Sequence, residues 1–344
     1  MTTSICIARS VLVFLFTGTC ALAHHNTGAV FDMDAEVSFD GVIEEYEWKN
    51  PHLYFYVSTT DDSGDSIVWR VEAGPLAIMR RLGWTRDSLA AGDRVSFVGR
   101  PSRHPGRKSA FLVSVKSEAR ELPSFMSEEA FEILSAEGES DEATTKTDRL
   151  SGTWIAALSM EGGAWVDRPN TLPLTAAGTA ATEEFDEATM HPGLSCTPMT
   201  APAIMVIPDT KSIAVRENEI LIRAEFDNVD RVVSMIDTGI EQEPSIQGHS
   251  IGRWEGRALI VETRNFAAHR NGNAFTLPSG PRKKLVERFE LNPDRTSLTY
   301  RFELTDPDYI AEPVVREIQW IYSPDVDYAA EECDLENSRL FLED

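Results

Sequence analysis

The sequence predicts an all-β chain made of two barrels, an OB-like five-stranded small barrel followed by a larger antiparallel, lipocalin-like barrel. Two observations lead there. Apolar and β-branched runs of strand length recur along the chain, parted by Gly, Asn, Asp and Pro turn signals. One stretch, 118–149, replaces them with Glu, Asp, Ser and Thr and divides the chain in two.

Before the divide the runs fall at Val37–Trp48, Leu53–Ser58, Ile67–Ala73, Arg94–Gly99 and Phe111–Lys116. Between the third and fourth, Pro75–Leu82 reads as a short helix, with Pro at its start and Gly83 at its end. Five strands with a helix in that place is the layout of an OB-like barrel, here over 24–117. The segment 118–149 is expected to be an acidic, exposed linker with one short helix at Ser127–Ser135. Ser127 can cap that helix, and Glu128 and Glu129 favour its first turn.

From 150 to 344 the runs are Thr153–Leu158, Ile204–Ile207, Ser212–Glu217, Glu219–Phe226, Arg231–Ile236, Ser250–Trp254, Ala258–Thr263, Leu285–Leu291, Ser297–Leu304 and Val315–Tyr322. Several joins have hairpin length, at Asn218, at Glu255-Gly256-Arg257 and at Asn292–Thr296, which describes an antiparallel meander. Closing the edges of such a meander gives a barrel of roughly eight to ten strands. A two-sheet sandwich is the alternative.

Residues 1–23 read as a secretory signal peptide. Arg9 supplies a positive start, Val11–Phe16 an apolar core, and Ala21-Leu22-Ala23 a small-residue cleavage site. The expected destination is periplasmic or secreted, with the mature chain starting at His24. The apolar core is shorter than the roughly 20 residues a spanning helix needs, so the body is not expected to be membrane-embedded. Cys6 and Cys20 leave with the signal, and Cys196 and Cys333 remain as the pair for one disulfide, or as two buried thiols.

The 56 acidic residues outnumber the 32 basic ones, and the net charge of −24 becomes more negative once Arg9 is removed. Nucleic acid is thereby an unsuitable partner, because phosphate binding needs clustered Lys and Arg. Only Arg282-Lys283-Lys284 forms a basic run. The acidic surface serves solubility.

Four histidines precede the linker: His24, His25, His52 and His104. Cleavage after Ala23 would leave His24 with a free α-amine beside its imidazole, and a further imidazole would complete a T-shaped set of nitrogen donors. Such donors suit Cu(II), with Zn(II) second. The plainer reading is a frayed terminus at His24-His25, a loop hydrogen bond for His52 and a surface turn for His104.

His24-His25, Phe31-Asp32, Gly41-Val42, Trp48-Lys49-Asn50-Pro51-His52, Trp69 with Glu72, Pro75, Arg81-Leu82-Gly83-Trp84 and Leu89 with Gly92-Asp93 together resemble a bacterial family of small exported domains of unknown function. The resemblance covers about the first hundred mature residues and implies a periplasmic, β-rich domain with no established reaction. Asn26 stands where Ser usually follows the paired histidines. Gly248-His249-Ser250-Ile251-Gly252-Arg253-Trp254-Glu255-Gly256, with Glu287-Arg288-Phe289 and Asp306-Pro307, resembles a second uncharacterised family of exported bacterial proteins. That resemblance implies a place for Cys196 and Cys333, while Arg257 stands where an acid is more usual.

His249, Arg253 and Glu255 alternate along one strand and should share a face. They are candidates for a polar cluster at a pocket mouth, or for a solvated face with an ion pair. As catalytic candidates, His249 would be the acid or base, Arg253 would polarise an oxygen and Glu255 would orient the ring. Trp254 and His269 are further candidates for ligand contact. Aromatic residues on alternating positions would line a cavity or simply fill a core. The chain has no G-x-S-x-G, H-E-x-x-H, phosphate-loop or dinucleotide motif.

Three functions follow as expectations. The first is a periplasmic protein that binds an apolar or amphipathic small molecule in the second barrel, with a copper site at the mature N-terminus. The second is an exported lyase, isomerase or hydratase acting in that barrel, and the third an envelope interaction protein with no small ligand.

Overall fold

In the computed structural model the described residues are 27–342, apart from 62, 118–120, 125–126, 137–144, 158–170 and 240–241. The signal peptide, His24 and His25 lie outside them. A short helix α1 (Thr27–Val30) leads into the first barrel. Its strands are β1 (Val37–Glu47), β2 (His52–Thr60), β3 (Ser66–Pro75), β4 (Arg94–Pro101) and β5 (Ser109–Ser117), with helix α2 (Leu76–Arg81) between β3 and β4. The sheet order is β3-β2-β1-β4-β5, and parallel pairing of β3 with β5 closes the ring. This is the expected OB-like layout. Phe55, Val57, Val71, Phe97, Phe111 and Val115 are buried in it. β1 serves two neighbours at once, since Val42 pairs with both Ser58 and Arg94. Gly41 makes that close approach feasible: a Cβ there would lie 2.5 Å from the Ser58 carbonyl oxygen.

Among the described residues of the acidic segment, several pack against the first barrel. A short strand β6 (Glu121–Pro123) pairs with β5, and helix α3 (Glu128–Ala136) follows. Leu122, Ala130 and Leu134 are buried, and the Trp84 indole donates to the Pro123 carbonyl. A few apolar residues in a polar stretch are enough to pin it to a barrel wall.

The second barrel consists of β7 (Gly152–Ala156), β8 (Thr210–Val215), β9 (Glu219–Ala224), β10 (Val229–Ser234), β11 (His249–Glu255), β12 (Ala258–Arg264), β15 (Lys284–Leu291), β16 (Ser297–Thr305) and β17 (Val314–Tyr322), closed in the order β10-β11-β12-β15-β16-β17-β7-β8-β9. Nine strands cannot alternate in direction all the way round a ring. One junction must be parallel, and it is β10 with β11; the other eight are antiparallel.

Aromatic residues fill the barrel. Phe289, Tyr300 and Trp320 meet with centroids 5.0 to 5.6 Å apart, and Trp154 and Phe302 are also buried. They are core, not the lining of a central cavity.

One end of this barrel is plugged. Helices α4 (Ala176–Glu183), α5 (Glu187–Met190) and α6 (Ala203–Val206) lie between β7 and β8, and the hairpin β13 (His269–Ala274) with β14 (Leu277–Ser279) lies between β12 and β15. The sequence places a strand at Ile204–Ile207, and the structure corrects it to α6, preceded by Pro202. An apolar run of four residues carries no periodicity by which strand and helix can be told apart. Within the plug the Lys283 ammonium is fully buried and donates to Thr200 Oγ1, the Ala201 carbonyl and the Gly272 carbonyl. Burial brings its pKa down to about 7. Asp209 and Lys211 form a buried ion pair.

Cys196 and Cys333 are joined, tying the C-terminal segment to the loop after the Pro192–Ser195 3₁₀ turn. That segment then crosses to the first barrel.

Candidate ligand cleft at the barrel seam

The parallel junction is the weakest point of the ring. β10 and β11 share only two residue pairs, Val233 with Ser250 and Ser234 with Ile251, where every other junction has three or more. Parallel pairing requires the chain to return along the barrel before β11 can start, and the described part of this strap is held at Ser245, whose N–H donates to the Asn265 carbonyl while its own carbonyl accepts from the Ala267 N–H. Between this strap and the seam lies a cleft of about 820 Å³.

Strand register decides what lines it. On β10, Arg231 is buried with Val229 and Val233, while Val232 is 56% exposed. On β11, Ser250 and Gly252 are buried, and His249, Ile251 and Arg253 face outward. Ile236 from the strap adds a third exposed apolar side chain to Val232 and Ile251. One wall of the cleft is therefore apolar.

Behind the cleft runs a polar chain. The Arg231 guanidinium meets the Glu287 carboxylate through two bonds, 2.9 and 2.6 Å, with both side chains buried. Tyr300 donates to Glu287 at 2.8 Å. Arg231 also reaches Thr263 Oγ1, which lies 2.8 Å from Ser250 Oγ at the cleft. Burial, and then Glu287, hold the Tyr300 hydroxyl well above its ordinary pKa. Among the described residues, Arg231 Nε and Gln247 Oε1 meet no hydrogen-bond partner. Both atoms are buried, and Arg231 points inward with Val229 and Val233, so they belong to the packing behind the cleft and not to its surface.

The cleft offers no free positive charge. Arg231 is matched by Glu287, Arg253 by Glu262 and Glu255, and Arg264 by Glu262. With Ser234, Thr238 and Gln242 lining it beside the apolar wall, it has the character of a site for an uncharged amphipathic body.

The residues singled out in the sequence fall in several places. His249 and Arg253 do line this cleft, on the shared face expected of them. His249 Nε2 lies 2.6 Å from the Glu243 carbonyl oxygen. Glu255 sits six residues along the strand, roughly 20 Å away at about 3.3 Å per residue, so it does not orient that ring. It belongs instead to a surface network with Arg253 and Arg288, laid over the buried Ile260. Trp254 stands at the open end of the barrel. His269 is buried in the plug, where Nδ1 accepts from the Asn271 N–H and Nε2 pairs with the Pro198 carbonyl. Burial, and then Lys283, lower its pKa to about 4.

In the first barrel, His52 is buried with Nδ1 3.2 Å from Glu72 Oε1, and Tyr54 donates to the other carboxylate oxygen at 2.9 Å. The His52 backbone is held by Asn337, whose amide accepts from the His52 N–H and donates to the His52 carbonyl. Trp48 donates to Glu331, and the Asp334 N–H donates to the Asn50 carbonyl. The Trp48–His52 motif is thus where the C-terminal segment docks. Arg80 reinforces it by pairing with Glu225 and Glu331. His104 lies apart, in the exposed turn between β4 and β5. Among the described residues, no three of His, Cys, Asp or Glu form a metal-ligand group.

Sequence reasoning missed Arg231, Glu287, Thr263 and Tyr300. The signal was present as a charge in the apolar register, in Val229-x-Arg231-x-Val233 and in Leu285-x-Glu287-x-Phe289.

No helix among the described residues is long and apolar enough to cross a membrane. No curated protein and no solved structure matches the chain. Residues 13–110 match the model of a family of unknown function (DUF6152), a stretch that includes the Trp48–His52 motif and does not extend to the second barrel.

Proposed function

We propose that the protein is an exported, periplasmic binding protein whose second barrel takes an uncharged amphipathic small molecule in the seam cleft. The observation that carries this reading is the exposed apolar wall of Val232, Ile236 and Ile251 in a cleft whose arginines are all matched by carboxylates. Export is supported by the leader-like residues 1–23 and by a disulfide, a bond that persists in oxidising compartments. The neutral fluorophore N-phenyl-1-naphthylamine tests the reading. It should bind the mature protein, and Ile251→Glu, an outward-facing change, should weaken it about tenfold or more. Equal binding by both proteins would refute it.

A second reading concerns the first barrel. His52, with Nδ1 on the Glu72 carboxylate, has the carboxylate–imidazole arrangement that orients metal-ligating histidines. With His24 and His25 it would supply nitrogen donors for Cu(II), or for Zn(II). Copper analysis of the protein after exposure to stoichiometric Cu(II) and gel filtration tests it: near-unit loading, lost in His52→Ala, supports it, and an empty protein sinks it.

A further inference from the structure

The two ends of the second barrel are built differently. One is closed by the buried plug around Lys283 and His269. At the other, β8, β11 and β15 finish, and the last side chains in the inward register are Val215, Trp254 and Leu291. Trp254 is 46% exposed and Val215 39%, although the same register is fully buried two residues deeper, at Ile213 and Phe289. These three side chains, with Leu150, form a shallow cup of about 440 Å³.

The rim of the cup is cationic. Arg149 and Arg257 both line it and both are exposed. The neighbouring carboxylate, Asp148, is taken at 2.8 Å by Arg295, and that bond, with a smaller contribution from the Arg257 charge, holds its carboxyl below the usual range. Neither Arg149 nor Arg257 forms an ion pair among the described residues. In a chain with 56 acids to 32 bases, two unpaired guanidinium groups beside one exposed indole are a specific arrangement.

We infer that this open end is a second binding site, for a small aromatic anion: a flat apolar body against Trp254, Val215 and Leu291, with its carboxylate or sulfonate held by Arg149 and Arg257. Guanidinium forks match such groups in geometry as well as charge. The volume is at the low end of the roughly 300–1,000 Å³ usual for small-molecule sites. A neutral sugar would use the indole face but leave both charges unanswered. The cup and the seam cleft share no lining residue, so the inference stands apart from the proposed function.

The test uses the full mature protein and two probes, the anionic 1-anilinonaphthalene-8-sulfonate and the neutral N-phenyl-1-naphthylamine. Far-UV spectra and thermal midpoints should show that Arg149→Gln/Arg257→Gln and Trp254→Ala fold as the wild type does. The anionic probe should bind about tenfold or more weakly to both variants, recover with Trp254→Phe, and be indifferent to Ile251→Glu. Its binding should also weaken with salt. The inference is overturned if the anionic probe binds the double arginine variant as tightly as the wild type, or if Ile251→Glu abolishes its binding. It is equally overturned if octyl glucoside, a neutral sugar amphiphile, displaces the anion from the cup at equal concentration.

Discussion

Arg231 and Glu287 meet in the second barrel with two nitrogens against two oxygens, and neither side chain reaches solvent. They lie 56 residues apart in sequence, on strands separated by β11 and β12 in the ring. Their pairing brings the chain's polar register to one point behind the seam. Removing one partner strands the other in a dry interior.

Glu287→Gln should therefore lower unfolding free energy by about 3–5 kcal/mol, whereas Arg231→Met/Glu287→Leu should lose much less, since an apolar pair of similar volume leaves no buried charge. Urea denaturation of the two variants checks this. Equal losses would show that the pair is not the reason these residues are there.

Tyr300→Phe removes a hydroxyl that donates to Glu287 and nothing else of the aromatic stack. A hydrogen bond to a charged acceptor is worth about 1.5–3 kcal/mol, and the loss should fall in that range. In the Arg231→Met/Glu287→Leu background the same substitution should cost less than half as much, as a double-mutant cycle would read.

His269 carries a pH signature. Its folded pKa of about 4 lies below the ordinary 6.5 because burial disfavours the imidazolium. Between those values the unfolded chain binds the proton and the folded one does not, so stability falls as pH drops from about 6.5 towards 4. The full effect is about 3 kcal/mol, from about 1.4 kcal/mol per pKa unit. Denaturation midpoints from pH 8 to 4 should flatten over that window in His269→Gln.

Lys283 works the same way at higher pH. With its folded pKa brought from 10.5 to about 7, the unfolded chain holds the extra proton between those values. Its contribution to stability thus rises with pH across that window. Lys283→Met should remove this slope, and should also destabilise at every pH by removing the hydrogen bonds that Lys283 donates to Thr200 and to the Ala201 and Gly272 carbonyls. A slope unchanged in the variant would contradict the assignment.

Cys196→Ser/Cys333→Ser releases a cross-link between residues 137 apart, worth roughly 4–5 kcal/mol on the entropic account. Because Cys333 adjoins the segment that docks on Asn50 and His52, amide exchange at His52, whose N–H donates to Asn337, should speed up in the variant. Unchanged protection there would mean the segment docks without its staple.

Much of the fold is legible because many strands alternate. Phe55-Val57, Val95-Phe97 and Leu285-Phe289 mark inward positions without any knowledge of partners. The OB-like order follows from five such runs and one helix bracketed by Pro75 and Gly83. What was not legible depends on distant pairing. The parallel seam is a matter of parity, which shows only once nine strands are known to close. The plug hairpin β13–β14 reads as loop because Asn271, Gly272 and Asn273 are turn formers held extended by buried contacts, among them the Asn273 amide on Asp306. The candidate site was half legible: His249 and Arg253 carry their own chemistry on an exposed strand face. Arg231 looks like an interruption of an apolar register until Glu287 is placed opposite it.

The most direct test of the seam cleft as the binding site is native mass spectrometry of the protein purified gently from the cells that make it. The account predicts a bound adduct of small-molecule mass on the wild type that is absent from Ile251→Glu and retained in Arg149→Gln/Arg257→Gln. A wild type that carries nothing, or an adduct that persists in Ile251→Glu, would contradict it.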